Sequence, residues 1–164
     1  MRHAEDDSPI LSLPLPDEAA TLAFGARLAA VLRPGMAVWL IGDLGAGKTT
    51  LTRGLVRALG YEGRVKSPTY TLVEIYPFSS FNLYHFDLYR FEDPEEWEEA
   101  GFRDSFNSES ICLVEWPEKG GTLLSRPDLE IRLEIDGDGR LAKLRAGSEE
   151  GRRCVESLLE SGLA

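Results

Sequence analysis

Gly42-Asp43-Leu44-Gly45-Ala46-Gly47-Lys48-Thr49 places three glycines, a lysine and a hydroxyl at the spacing G-x-x-x-x-G-K-[ST]. That combination suits an anionic, phosphate-bearing ligand. The glycines permit positive φ and let backbone N–H groups come close to phosphate oxygens. The start of the helix that follows the loop would add unpaired N–H donors and the positive end of its dipole. Lys48 brings a point charge to the outer phosphates, and the Thr49 hydroxyl can ligate Mg²⁺. On this reading Lys48 should be accessible at the surface rather than part of the core. The bland alternative is a glycine-rich strand-to-helix turn with no ligand.

Phosphoryl chemistry needs more than a cradle. It needs a second carboxylate near the metal and a group that orients water. Glu115 follows the apolar run Ile111-Cys112-Leu113-Val114. It would emerge at the carboxyl end of a buried strand, where open α/β sheets bind ligands. There it could hold Mg²⁺ directly or through water, or be an ordinary strand-end acid. Asp87 lies in His85-Phe86-Asp87-Leu88-Tyr89-Arg90, and strand alternation puts His85, Asp87 and Tyr89 on one face. Asp87 could activate water, or could be a structural acid bonded to Tyr or Arg; spacing leaves both readings open. His85 reads as a structural hydrogen-bonding residue. Ser67-Pro68-Thr69 sits where nucleotide switches carry a threonine that senses the γ-phosphate.

The elements that must position these groups follow from periodicity. Met36 to Ile41 is an apolar run of strand character. Leu51, Leu55, Ala58 and Leu59 repeat with helical spacing after the loop, and Gly60 suits the helix end. Before the loop, residues 1–9 are expected to be disordered and Ile10 to Leu15 to form a short strand. Asp17 is an N-cap for a helix that has Glu18 in its first turn and runs to about Leu32. Its small residues Gly25, Ala26 and Ala29, with Leu22 and Leu32, predict a face for close packing on a sheet. Val65 to Thr71 is too polar and Pro-broken for a core strand. Thr71–Tyr76 and Leu83–Tyr89 predict a hairpin, hence an antiparallel element. Asp93 and Pro94 open a short acidic helix. Leu129–Ile135, the turn Asp136-Gly137-Asp138-Gly139 and Leu141–Leu144 predict a second strand pair, and Ser148 to Leu163 a final helix. The expected fold class is α/β: a P-loop NTPase fold with a central, mainly parallel sheet, an antiparallel hairpin and helices on both faces, as one domain over residues 1–164.

Composition narrows the function classes. The 164 residues are 43% hydrophobic and 28% charged, which suits one globular domain. The net charge of −10 disfavours direct contact with DNA or RNA phosphate. Cys112 and Cys154 have no paired spacing and read as buried small hydrophobes. There is no membrane-length apolar run, and no signal or transit pattern at the first residues, so the cytoplasm is the expected compartment.

Four strings occur in order: Gly-Asp-Leu-Gly-Ala-Gly-Lys-Thr-Thr from Gly42, Val-Lys-Ser-Pro-Thr-Tyr from Val65, His-Phe-Asp-Leu-Tyr-Arg from His85 and Leu-Val-Glu-Trp-Pro from Leu113. Together they resemble the TsaE (YjeE) family of small bacterial ATPases, over about Leu13 to Ile135. That family serves threonylcarbamoyladenosine formation in tRNA, beside the adenine that follows the anticodon. The resemblance implies ATP and Mg²⁺ as cofactors and the TsaB–TsaD protein pair as partner, with tRNA engaged only indirectly. It implies that Asp43 through Thr50 bind phosphates with Lys48, that Thr49 and Glu115 hold Mg²⁺, and that Asp87 is the leading candidate for water activation. It also implies a switch role for Thr69, and places Trp116, Glu18 and Glu118 around the nucleotide. Two departures are visible. The hairpin loop Ser79-Ser80-Phe81-Asn82 has no glycine where many relatives have one. Trp97 stands for a more usual aliphatic residue and is expected to alter a partner surface.

Rival readings are a free-standing P-loop small-molecule kinase, a GTPase and a nucleotide-holding module without turnover. A kinase usually needs an arginine-bearing lid, and Arg126, Arg140, Arg145, Arg152 and Arg153 are scattered. A guanine reader typically carries Asn-Lys-x-Asp, and neither Asn82 nor Asn107 is followed by Lys.

Overall fold

The structure is a computed structural model that describes residues 10–161. The expected disorder of residues 1–9 and the last helical residues up to Leu163 lie outside them. Seven strands form one sheet: β1 (Ile10–Leu15), β2 (Ala37–Ile41), β3 (Val73–Pro77), β4 (Asn82–Asp87), β5 (Ser110–Glu115), β6 (Leu129–Asp136) and β7 (Gly139–Ala146). Their order is β1-β7-β6-β2-β5-β4-β3. The centre, β6-β2-β5-β4, is parallel, and both edges are antiparallel. The β3–β4 hairpin closes one edge, and the β6–β7 hairpin with β1 closes the other. The α/β class with a parallel centre therefore holds, with more antiparallel pairing than a single hairpin.

Helices α1 (Glu18–Val31), α2 (Lys48–Ala58) and α4 (Glu149–Glu160) share one core with one face of the sheet. The other face of β4 and β5 is covered by the short helix α3 (Glu95–Glu99) and two 3₁₀ segments, Phe102–Ser105 and Pro117–Leu123. Alternation along the strands divides the two cores. Ile111 and Leu113 face α1 and α2, while Cys112 and Val114 face the second cluster. No helix among the described residues is long and apolar enough to cross a membrane.

The caps follow the sequence. Asp17 accepts from the Ala20 amide (2.8 Å) and Ser148 from the Gly151 amide (3.1 Å). Gly60 takes φ +108° just past the end of α2. Helix α3 starts one residue later than expected, at Glu95, although Asp93 still accepts from the Glu95 amide. Cys112 and Cys154 are both buried, and both are free thiols.

Two expectations are corrected. The small residues of α1 do not form one face against the sheet: of Gly25, Ala26 and Ala29, only Ala29 packs against the shared core. Phe24 and Leu28 reach the core, Ala26 is exposed, and Gly25 abuts α2. A Cβ on Gly25 would overlap the Leu51 carbonyl oxygen, and one on Gly54 would overlap the Leu22 carbonyl oxygen. The glycines bring two helix backbones together, a pairing that the pattern of either helix alone cannot show. Trp97 is no surface residue. It is only 2% exposed and sits edge-on to Phe86, Phe102 and Phe106, with centroids 5.4 Å away in each case. A large ring fills the space under α3 because aromatic side chains on that face leave a pocket for one.

Candidate nucleotide site

The glycine-rich loop leaves the carboxyl end of β2 and enters α2 at Lys48. Gly45 and Gly47 take φ of +82° and +106°. The second of these is the residue preceding α2, where a side chain would be strained. Gly42 is needed for a different reason: a Cβ there would lie 2.8 Å from the Leu133 carbonyl oxygen of β6.

Parallel pairing of β4 with β5 sets Asp87 directly beside Glu115. Both acids stand at the carboxyl ends of their strands and point to the face that α2 covers. They share that face with His85, which is two residues before Asp87. Glu115 is held by two partners: His85 Nε2 lies 2.5 Å from its Oε2, and Lys48 Nζ 3.3 Å from its Oε1. Burial alone would raise the Glu115 pKa, but the His85 hydrogen bond and the His85 and Lys48 charges outweigh it and hold it below the usual carboxylate value. His85 is fully buried and thus serves as a hydrogen-bonding support for Glu115, in the structural role its sequence context indicated.

Asp87 has the opposite balance. It is 1% exposed, and burial pushes its pKa up, only partly opposed by the Tyr89 amide at 2.9 Å. The neighbouring Glu115 charge raises it further, while Thr69 Oγ1, donating to Asp87 Oδ2 over 3.1 Å, lowers it. Two neighbouring carboxyls thus have pKa values pushed apart, an arrangement suited to one charged ligand and one proton acceptor.

Lys48 is not at the surface as expected. It is 5% exposed, donates to the Gly42 carbonyl (2.5 Å), pairs with Glu115 and lies over the Trp116 ring, 5.0 Å from its centroid. The loop curls around its own lysine because a carbonyl, a carboxylate and an aromatic face together satisfy the ammonium group.

Lys48, Leu44, Gly45, Gly47, Thr49, Thr50, Ser67, Thr69 and Glu115 all line one cavity of about 210 Å³. Asp87 does not line it and lies beneath, reached through Thr69. Asp43, Ala46, Trp116 and Glu118 line a neighbouring cavity of about 430 Å³, together with Gly42 and the end of β6. Glu18 belongs to a third, of about 330 Å³, on the opposite flank of the loop beside Gly45, Gly47 and Thr50. Glu18 and Glu118 are therefore not brought together.

The donor set suits a small hard cation that arrives with its own oxygen ligands. Among the described residues no group of three or more His, Cys, Asp and Glu could hold a metal alone. A hydroxyl and one carboxylate, Thr49 and Glu115, lining one cavity with Lys48 and the glycine-rich loop is the partial set that Mg²⁺ takes in nucleotide sites.

Three features had no warning in the sequence. Trp116 adopts φ +56° and Leu72 φ +71°, both rare for such side chains. Trp116 follows Glu115, and the Leu72 carbonyl accepts from the Asp87 amide (3.0 Å), so both strained residues adjoin the acids. The third is Arg140, counted among the scattered arginines, which reaches the glycine-rich loop from β7.

Comparison with known proteins agrees with this architecture. The family model described as "Threonylcarbamoyl adenosine biosynthesis protein TsaE" matches residues 15–142. A Haemophilus influenzae protein named as tRNA threonylcarbamoyladenosine biosynthesis protein TsaE is 47% identical over 148 residues, covering 87% of this chain and 94% of that one. A Bacillus subtilis protein of the same name is 41% identical over 118 residues, 72% of this chain and 73% of that one. The crystal structure of Bacillus subtilis YdiB superposes with a TM-score of 0.78 at 28% identity, over 94% of this chain and 97% of that one. With the loop, the paired acids and the sheet order in one place, and a family match across most of its length, this chain belongs to the TsaE family.

Proposed function

We propose that this chain is a single-domain cytoplasmic ATPase. It would support threonylcarbamoyladenosine formation, at the adenine next to the tRNA anticodon, by acting on a TsaB–TsaD protein complex. The observation that carries the reading is the gathering of Lys48, Thr49, Thr69 and Glu115 around one small cavity, with Asp87 beneath it.

In this mechanism the loop amides of Asp43 to Thr50 and the Lys48 ammonium bind the phosphates of ATP. Lys48 exchanges the Gly42 carbonyl and Glu115 for phosphate oxygens. Thr49 and Glu115 hold Mg²⁺, which when bound neutralises charge on the transferring phosphoryl group. His85 keeps the Glu115 carboxylate oriented. Asp87, its pKa raised by burial, accepts a proton from the water that attacks the γ-phosphorus as the bond to the ADP oxygen breaks. Thr69 couples the 67–71 segment to that acid: its hydroxyl occupies Asp87 Oδ2, and that oxygen becomes free for water when Thr69 turns to the γ-phosphate. Trp116 and Glu118 on one flank and Glu18 on the other border the rest of the nucleotide.

Dependence on a partner is supported by what surrounds the cavity. Leu44, which lines the cavity, is 60% exposed, and Tyr70, next to the cavity-lining Thr69, is 81% exposed. Such apolar side chains beside a catalytic site suit a protein surface better than solvent. Transfer RNA would be engaged only through the partner, given the net charge of −10. The deciding experiment mixes the protein with its own organism's TsaB–TsaD pair, ATP, Mg²⁺ and substrate tRNA. Many rounds of modification with it and far fewer without it are expected. Equal modification without it, or rapid phosphorylation of a small metabolite by the protein alone, would replace this reading with the kinase one.

A further inference from the structure

We propose that Arg140 is a positioning residue that holds the glycine-rich loop in its anion-binding shape from behind. The inference rests on the reading that this loop binds nucleotide. The Arg140 guanidinium donates from Nε to the Ala46 carbonyl (3.0 Å), from Nη2 to the Gly45 carbonyl (3.0 Å) and from Nη1 to the Gly139 carbonyl (2.7 Å). A planar fork with fixed donors ties two successive loop peptides to the β6–β7 hairpin, which a lysine could not do.

The peptide group explains the consequence. In a trans peptide the C=O and the following N–H point in opposite directions. Pinning the Ala46 carbonyl toward the hairpin turns the Gly47 N–H away from it. Gly45, Gly47 and Thr50 line both the Arg140 cavity and the cavity shared by Lys48, Thr49 and Glu115. The loop is thus a wall between them, with the arginine on one side and the anion cavity on the other. Gly45 has open space where a side chain would be, and both Gly45 and Gly47 take positive φ, so without an external tie their peptides could turn over. Arg140 supplies that tie and adds a positive charge behind the loop.

The anchor itself is rigid. Arg140 lies in β7, paired with Leu15 of β1 and with Ile135 of β6. Gly139 makes this possible, since a Cβ there would come within 2.7 Å of the Leu15 carbonyl oxygen and 2.9 Å of Pro16 Cα. The edge of the sheet farthest from β3 is thereby coupled to the phosphate loop.

The test compares wild type, Arg140→Met and Arg140→Lys. Amide hydrogen exchange of residues 43–47 is measured without nucleotide, Mg²⁺–ATP and Mg²⁺–ADP affinities by calorimetry, and melting temperature by circular dichroism. Arg140→Met should speed loop exchange and weaken both nucleotides by roughly tenfold, the scale of a lost charge-assisted hydrogen bond, with little change in apo melting temperature. Arg140→Lys, which keeps the charge and loses the fork, should recover only part of the affinity and leave exchange fast. Unchanged loop exchange in Arg140→Met overturns the proposal. So does full recovery of affinity in Arg140→Lys, which would mean charge alone matters, or unfolding of both variants, which would make Arg140 a fold stabiliser. If wild type binds neither nucleotide, the ATPase reading falls, and the exchange arm still decides whether Arg140 holds the loop.

Discussion

Lys48 Nζ and Glu115 Oε1 lie 3.3 Å apart inside the site, with both side chains almost fully buried. The cation of the loop and the acid of β5 neutralise each other, and each is the group that a phosphate or a metal would otherwise claim. Lys48→Ala should therefore do two things. Loss of a charge-assisted contact should weaken ATP binding by about one to two decades. Leaving Glu115 without its cation should also lower the melting temperature, because an unpaired buried charge is costly. Adding Glu115→Gln to Lys48→Ala should restore the melting temperature without restoring ATP binding. Calorimetry and thermal melts read the two effects separately; a melting temperature insensitive to Lys48→Ala would show that the pair contributes nothing to the fold.

Asp87→Asn should retain Mg²⁺–ATP affinity and lose turnover in the reconstituted system, since it removes a proton acceptor and leaves Thr49, Glu115 and Lys48 in place. The amide oxygen can still accept from the Tyr89 N–H while its NH2 donates to the Thr69 hydroxyl oxygen, so the fold should persist. Collapse of nucleotide binding or of the melting transition in this variant would make Asp87 a structural acid.

Thr49→Ala and Glu115→Gln should each raise the Mg²⁺ concentration needed for half-maximal ATP binding, because the protein supplies few ligands and each one counts. A magnesium titration at fixed ATP measures this. An unchanged midpoint in both variants would remove these residues from the metal set.

Gly54→Ala should destabilise the protein by about 1–3 kcal/mol, although alanine is the better helix former. The added methyl would overlap the Leu22 carbonyl oxygen and come 3.0 Å from Leu22 Cα, both backbone atoms that cannot step aside singly. Urea denaturation gives the value; a neutral or stabilising effect would show that α1 and α2 separate at little cost.

Burial pushes the Cys112 thiol from 9.0 to about 12, the Cys154 thiol to about 11 and the Tyr76 hydroxyl from 10.0 to about 12. Each folded value lies above the unfolded one, so the stability these groups contribute is complete below pH 9 and declines as pH rises toward the folded values. The melting temperature should fall over that window, and less steeply in a Cys112→Ala, Cys154→Ala double variant. Native protein should also resist thiol alkylation until it unfolds. Equal slopes for the two proteins would show that the thiols do not drive the loss.

Much of this molecule is legible in its local chemistry. The glycine-rich loop, its strand and its helix are contiguous in the chain, so spacing alone located them. Asp17, Ser148 and Gly60 cap their helices through atoms a few residues away. The β3–β4 and β6–β7 hairpins follow from turns between alternating strands. Alternation also placed His85 and Asp87 on a common face.

What the tertiary structure decided concerns groups far apart in the chain. Only parallel pairing of β4 with β5 sets Asp87 beside Glu115, and only their shared burial sends the two pKa values in opposite directions. The burial of Lys48, the interlocked Gly25 and Gly54 and the enclosed Trp97 depend on which faces meet. The reach of Arg140 to Gly45 and Ala46 depends on β7 being placed between β1 and β6. Periodicity says that a residue has a buried side, but what it is buried against is set by strand order and helix docking, which no local pattern encodes.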